Sequence, residues 1–219
     1  MKKHVDWMEC MKAAIFDMDG TVLDSMEQWR SLSVLFLEKR GIEVSDELRE
    51  ALRQMSGVMA AKLYLKRFGM KVNTQAIMDE YLTHMERCYM TEIGLKPGIR
   101  AYLERLRAQG IPCCIATATP QEMAVRALDR HGLTPFFRFV VGTREERRGK
   151  DDPVFFELTA SRLGVTAAEC TVFEDALYAM QGAKKAGCTV IGVEDGTNQA
   201  DRAEMMRLCD RVISDYAQM

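Results

Sequence analysis

After residue 97 this chain exchanges helix and strand patterns at regular intervals, and no other feature restricts its fold as much. Apolar periodicity predicts helices over 99–109, 121–131, 154–163 and 177–186, with short apolar strands over 113–116, 139–141, 171–173 and 189–192 between them. Gly110, Gly132, Gly164 and Gly187 stand where those helices must stop, because glycine takes the left-handed C-cap conformation without a β-carbon penalty. Strands separated by helices imply right-handed crossovers, hence a parallel sheet covered on both faces. Residues 211–213 add a last strand. Residues 13–17, AAIFD, supply the first, a buried apolar run ending in acid just before Gly20.

Between residues 25 and 92 the pattern is helical only. Trp29, Leu32, Leu35 and Phe36 share one helix face and Leu63, Tyr64 and Phe68 another, with no β-branched runs or hairpin turns. The expected organisation is therefore an α/β core of residues 1–24 and 93–219, a doubly wound parallel sheet, carrying an inserted all-helical domain at 25–92. A chain of 219 residues has room for one sizeable core and a smaller second unit. The punctuation Lys96-Pro97-Gly98 marks the return to the core.

In open α/β sheets ligands bind beyond the carboxyl ends of the strands, so the polar residues there carry the chemistry. They read Asp17-Met18-Asp19-Gly20-Thr21, Thr117-Ala118-Thr119 and Glu174-Asp175, with Lys150 just before a helix. Asp17, Asp19, Glu174 and Asp175 would bring up to four carboxylates together, which is costly unless a hard cation neutralises them. Oxygen ligands without histidine or thiolate favour Mg2+. Gly20 permits a sharp turn after Asp19, and by spacing the N–H groups near Met18, Asp19 and Ala118 surround an anion. Plainer readings compete at each position. Asp and Gly are ordinary turn residues. Thr117 alternatively caps the helix that starts near Pro120, with Thr119 competing for either task. Glu174 alternatively accepts a helix N-terminal amide. Lys150 follows the charged run Arg144 to Arg148, a pattern typical of a solvated face.

Charge and composition exclude other classes. The formal net charge of −2 gives no long-range attraction to nucleic acid or to an anionic membrane, and no apolar run approaches the ~20 residues of a membrane helix. The seven cysteines are scattered without zinc-site or disulfide-framework spacing, which fits reduced thiols in a cytoplasmic protein. The residues before Lys12 lack the apolar run of a signal peptide and read as a short extension. His4, His84 and His131 fall in different elements, as surface or packing residues. Met55, Met59, Met78, Met85 and Met90 read as core filling in the insert, with an adaptable apolar wall as the minority reading. No GxGxxG follows the first strand, which argues against a dinucleotide-binding oxidoreductase.

The motifs IFDMDGTVLDS, IATAT, GKDDPVFF and VFEDA, in that order and covering essentially the whole chain, resemble the haloacid dehalogenase-like (HAD) hydrolase superfamily. The match is to its phosphatase and β-phosphoglucomutase-like branch, which has a Rossmann-like core and a small helical cap. That resemblance implies a Mg2+-dependent phosphatase acting on a small phosphorylated metabolite, such as a sugar phosphate or phosphoglycolate, through an aspartyl phosphate. It makes Asp17 the nucleophile, Asp19 the general acid and base, Thr117 a phosphate donor and Lys150 a charge partner. Asp17, the Asp19 carbonyl, Asp175 and Glu174 would surround the metal, and substrate choice would lie in the insert. The expected partner is a small phosphorylated substrate, with neither nucleic acid nor membrane, for a monomer or weak homodimer. A phosphomutase is the nearest rival, but Trp29 stands where the mutases carry a histidine. MSGVMAAK lacks their cap arginine, and no arginine follows until Arg67. KDDP replaces the frequent KPxP and Ala176 the usual serine; neither change removes a catalytic group. A receiver-like phospho-acceptor module is the rival from another class, though it lacks the second aspartate and the insert.

Overall fold

The computed structural model describes residues 11–53, 55 and 57–219, so His4, Cys10 and the rest of the extension before Met11 lie outside the described residues. Two compact units emerge, Met1–Asp24 with Gly94–Met219, and Ser25–Ile93.

In the first unit, β1 (Ala13–Phe16) precedes the insertion. After it come α5 (Ile99–Ala108), β2 (Cys113–Thr117), α6 (Gln121–Arg130), β3 (Phe137–Gly142), α7 (Pro153–Leu163), β4 (Cys170–Glu174), α8 (Leu177–Lys185), β5 (Thr189–Val193), α9 (Arg202–Leu208) and β6 (Arg211–Ile213). The second unit contains α1 (Met26–Glu38), α2 (Asp46–Arg53), α3 (Gly57–Phe68) and α4 (Thr74–Thr91). The strands form one six-stranded sheet in the order β3-β2-β1-β4-β5-β6. All its pairings are parallel, so the doubly wound fold inferred from the alternation is the fold observed. Gly110, Gly132, Gly164 and Gly187 take positive φ angles of 71°, 62°, 85° and 88°, as helix stops require.

Strand order fixes where a ligand can sit. The chain winds from β1 through β2 to β3 on one side, then restarts at β4 on the other flank of β1. The crevice beyond the carboxyl ends of β1 and β4 is thus the topological switch point. Phe16 pairs with Ile115 on one side and Phe173 on the other, so Asp17, one step past β1, stands level with Glu174, the last residue of β4.

The pleat decides which way those two side chains point. Phe16 and Phe173 stack at 4.4 Å between ring centroids, with Tyr102 and Tyr216 packed on the same side. Ala13, Ile15 and Val172 face the other way, into a core closed by Phe155 and Phe156 of α7 and by Met180 and Ala183 of α8. One residue further along, Asp17 and Glu174 follow Ile15 and Val172 toward that second side, where the segment before α7 carries Lys150.

The helical unit is held by its own aromatic centre. Phe36 stacks on Tyr64 at 5.2 Å, and the Tyr64 hydroxyl donates to the Ser33 carbonyl at 2.7 Å while lying 3.0 Å from the Tyr81 hydroxyl. Helix α4 starts where the Asn73 side chain accepts the Ala76 N–H at 2.8 Å, an N-cap worth ~1 kcal/mol. Trp29 takes part in the packing of this unit: its indole N–H donates to the Tyr89 hydroxyl at 3.1 Å. The expectation that the insert's methionines fill core needs correction. Met85 is fully buried, but Met59 is 57% and Met90 46% exposed. An unbranched apolar side chain at helical spacing does not reveal which face its helix buries.

Candidate active site

Asp17, Glu174 and Asp175 are buried, and each offers a carboxylate oxygen within 4.8 Å of the other two. Lys150, 3% exposed, reaches in from the start of α7. Its ammonium donates to Asp17 Oδ1, to Glu174 Oε2 at 2.8 Å and to the Ala116 carbonyl at 3.2 Å. Of the charged bases in that stretch, this is the one that enters the interior, so the solvated-face reading does not hold for it.

Electrostatics follow from burial. The Asp17 carboxyl is raised to about 8, first by desolvation and then by the charge of Glu174, with Lys150 pulling the other way. Desolvation and the same two neighbouring carboxylates push Asp175 well above the usual range. For Lys150 burial acts against the charged form, but Asp17 and Glu174 outweigh it and hold its pKa well above the ordinary lysine value. Two like charges about 4 Å apart repel by ~4 kcal/mol at an effective dielectric of about 20. With all three carboxyl groups ionised, one ammonium would leave two negative charges uncompensated, and Asp17 Oδ2 is buried without a hydrogen-bond partner. An oxygen-only donor set, a deficit of two charges and an orphaned oxygen aimed into it together fit a hard divalent cation.

The fourth expected carboxylate does not join the other three. Asp19 lies just before the turn at Gly20, whose φ is 79°, and its Oδ2 accepts the Thr119 hydroxyl at 2.7 Å. The expectation of four clustered carboxylates is therefore reduced to three, because the Asp19 side chain turns to Thr119 just past β2, although its charge still acts on Asp17. Met18 is buried and its carbonyl accepts from Val22 and Leu23, closing the turn; Ala118 is exposed at the end of β2.

Thr117 is buried at 1% exposure, and its Oγ1 accepts the Thr119 N–H at 3.0 Å. Pro120 is the N-cap residue of helix α6 and supplies no side-chain cap. Glu174 Oε2 takes Lys150 while Oε1 accepts the Ala176 N–H at 3.1 Å, at the start of α8, as its amide-acceptor reading expects. The described histidines, His84 and His131, are outside the acidic group.

Two supporting residues carried no motif. Gly182 in α8 lies so close to the Lys150 main chain that a β-carbon there would overlap the Lys150 carbonyl oxygen and stand 3.2 Å from the Asp151 carbonyl carbon. A glycine inside a helical pattern is the one sequence signal of such a close approach. Asn198, in the loop after β5, binds the Asp175 carbonyl at 3.0 Å.

Carboxylates gathered around a buried lysine at the switch point of a doubly wound sheet make this the candidate active site of an α/β protein. The chain belongs to the haloacid dehalogenase-like hydrolase family, which matches residues 11–187. Among relatives, it is 27% identical over 177 residues to a phosphorylated carbohydrates phosphatase of Thermotoga maritima, covering 81% of this chain and 82% of that one. It is 29% identical to the β-phosphoglucomutase of Bacillus subtilis, covering 85% and 84%. The solved structure of a hydrolase from Pseudomonas syringae superposes with a TM-score of 0.72 at 26% identity, covering 94% of each chain. The protein is thus an enzyme of the hydrolase class. No helix among its described residues is long and apolar enough to cross a membrane.

Proposed function

We propose that this chain is a Mg2+-dependent phosphatase that hydrolyses a small phosphorylated metabolite, of the sugar phosphate or phosphoglycolate kind, through an aspartyl phosphate on Asp17. One observation carries the reading: Lys150 engages Oδ1 of a buried Asp17 whose Oδ2 has no hydrogen-bond partner, beside Glu174 and Asp175. The catalytic role goes to the α/β unit and the choice of leaving group to the helical insert.

Asp17, Asp175, Glu174 and the Asp19 carbonyl are the groups that would hold Mg2+, directly or through water. When bound, the ion lowers the repulsion between the phosphate and the carboxylates. The Asp17 carboxylate forms the new bond to phosphorus while the bond from phosphorus to the substrate oxygen breaks. Lys150 balances charge on Asp17 and on the phosphoryl oxygens. Thr117 and the N–H groups of Met18, Asp19 and Ala118 receive those oxygens. Asp19 gives a proton to the departing alcohol, then takes one from the water that attacks phosphorus and frees Asp17. Alcohol and inorganic phosphate leave, and both carboxyl groups return to their starting states.

The mutase reading is weaker on two counts: Trp29 occupies the histidine position, and its indole N–H is engaged by Tyr89. A screen for phosphate release across phosphorylated metabolites tests the proposal. Turnover is expected with Mg2+, with a loss of at least ~10³-fold for Asp17→Asn, as for removal of other catalytic nucleophiles. EDTA should abolish it likewise. Full activity of Asp17→Asn, or without metal, contradicts the mechanism; phosphate passed to a sugar hydroxyl instead of released supports the mutase.

A further inference from the structure

We propose that Asn198 is a positioning residue that sets the direction of the Asp175 carboxylate and so the strength of cation binding; the inference rests on the magnesium reading above. Asn198 lies outside every motif, yet it is 7% exposed and its amide is engaged on both ends. Nδ2 donates to the Asp175 carbonyl at 3.0 Å and to the Val193 carbonyl at 3.1 Å, while Oδ1 accepts the Asp195 N–H at 3.0 Å. With two carbonyls on one side and an N–H on the other, only one orientation of the amide satisfies all three partners.

The contact matters because of which peptide group it holds. The Asp175 carbonyl and the Ala176 N–H belong to one peptide plane. Asn198 takes the carbonyl edge, and Glu174 Oε1 takes the N–H edge at 3.1 Å. Clamped on both edges, the plane cannot rotate, and the Asp175 backbone is fixed at the point where β4 gives way to α8. The fixed backbone then presents the carboxylate to Asp17 and Glu174, where a side-chain hydrogen bond to Glu174 completes its placement.

Asn198 is in turn fixed by the loop that carries it. The Asp195 carboxylate accepts the Thr197 N–H at 2.9 Å and the Lys96 ammonium at 2.9 Å, and the Asn198 N–H donates to the Asp195 carbonyl at 3.1 Å. This small closed loop presents the amide to Asp175 as a rigid fork. Partners of metal ligands in other proteins change affinity by ~10–100-fold when removed, and that is the effect expected here.

Calorimetric titration of MgCl2 into metal-free protein tests the idea without reference to turnover. Asn198→Leu keeps the size and removes all three hydrogen bonds; its Kd for Mg2+ should rise by ~10–100-fold. Asn198→Ala serves if the leucine variant does not fold. Asp195→Asn is the control, since it loosens the same loop but leaves the Asp195 N–H and the Asn198 amide in place. Wild-type affinity in a folded Asn198 variant overturns the proposal, and so does an equal loss in Asp195→Asn, which would mean general loosening. A wild-type protein that binds no Mg2+ removes the magnesium reading instead, a result distinct from either.

Discussion

At the scale of single residues, the side chains of this site act in pairs. Asp19 and Thr119 are the clearest case: the hydroxyl donates to Asp19 Oδ2 at 2.7 Å across a sequence separation of 100. Asp19 stands at the entry to the glycine turn, and this contact holds one of its two carboxylate oxygens. Thr119→Val keeps the shape and removes the donor. A hydrogen bond to a charged group contributes ~1.5–3 kcal/mol, so kcat/KM for an alkyl phosphate should fall about 10-fold or more. A nitrophenyl phosphate, whose leaving group needs little proton donation, should lose less, and Thr119→Ser should restore most of the loss. Equal losses on both substrates would mean that Thr119 does not act through Asp19. The sequence named both threonines but not this pairing. Asp17, Asp19, Glu174, Asp175 and Lys150 were legible because strand ends and motif order place them. Which hydroxyl turns toward which carboxylate depends on rotamers across the sheet, and no local pattern records that. Asn198 was silent for the same reason, as an ordinary polar residue in a loop.

Among the elements, the strands of the α/β unit and its helices up to α8 were found to within a few residues because glycine stops and apolar runs mark them sharply, whereas α9 (Arg202–Leu208) was not expected. β3 begins two residues before the expected 139 because Phe137 and Arg138 lie at the sheet's edge, where half-buried side chains blur the pattern. The insert was read as helical without its internal breaks, since caps such as Asn73 are visible only once a register is known. Helix α8 adds a constraint of its own at Gly182, where the Lys150 main chain leaves no room for a β-carbon. In Gly182→Ala the helix gains ~1 kcal/mol of propensity while overpacking costs ~1–3 kcal/mol, so stability changes little. The segment bearing Lys150 must move instead. A displacement of about 1 Å in a catalytic group can cost ~10²-fold in rate. The expected result is a fall of that order in kcat, with the thermal midpoint within a few degrees of wild type. Wild-type kcat in a folded variant would show that Lys150 tolerates the shift.

For the molecule as a whole, the α/β unit is assembled from two stretches of sequence, and the places where the chain leaves and returns are pinned together. Asp24 N–H donates to the Gly94 carbonyl at 3.0 Å and Lys96 N–H to the Val22 carbonyl at 3.0 Å. The Lys96 side chain then crosses to Asp195 at 2.9 Å, with Asp24 at 3.6 Å as a second, more exposed partner. Burial pushes the Asp195 carboxyl up, but hydrogen bonds from Lys96 and Thr197 outweigh it and leave the group below its usual value. A carboxyl depressed by folding stabilises the protein above its unfolded pKa of about 3.9, and that share is lost as pH falls through the lower folded value. Asp195→Asn keeps an acceptor for the Thr197 N–H and removes the charge facing Lys96. At pH 7 the loss should be ~2 kcal/mol, the scale of a hydrogen bond to a charged group, or about 4–8 °C in Tm. Below a pH of about 3.9 the wild type progressively protonates the same group, so the two melting curves should converge as the pH drops further. Thermal melts of both proteins from neutral to acid pH decide the matter. A gap that stays constant through that range would show that the ion pair between Lys96 and Asp195 does not contribute to stability.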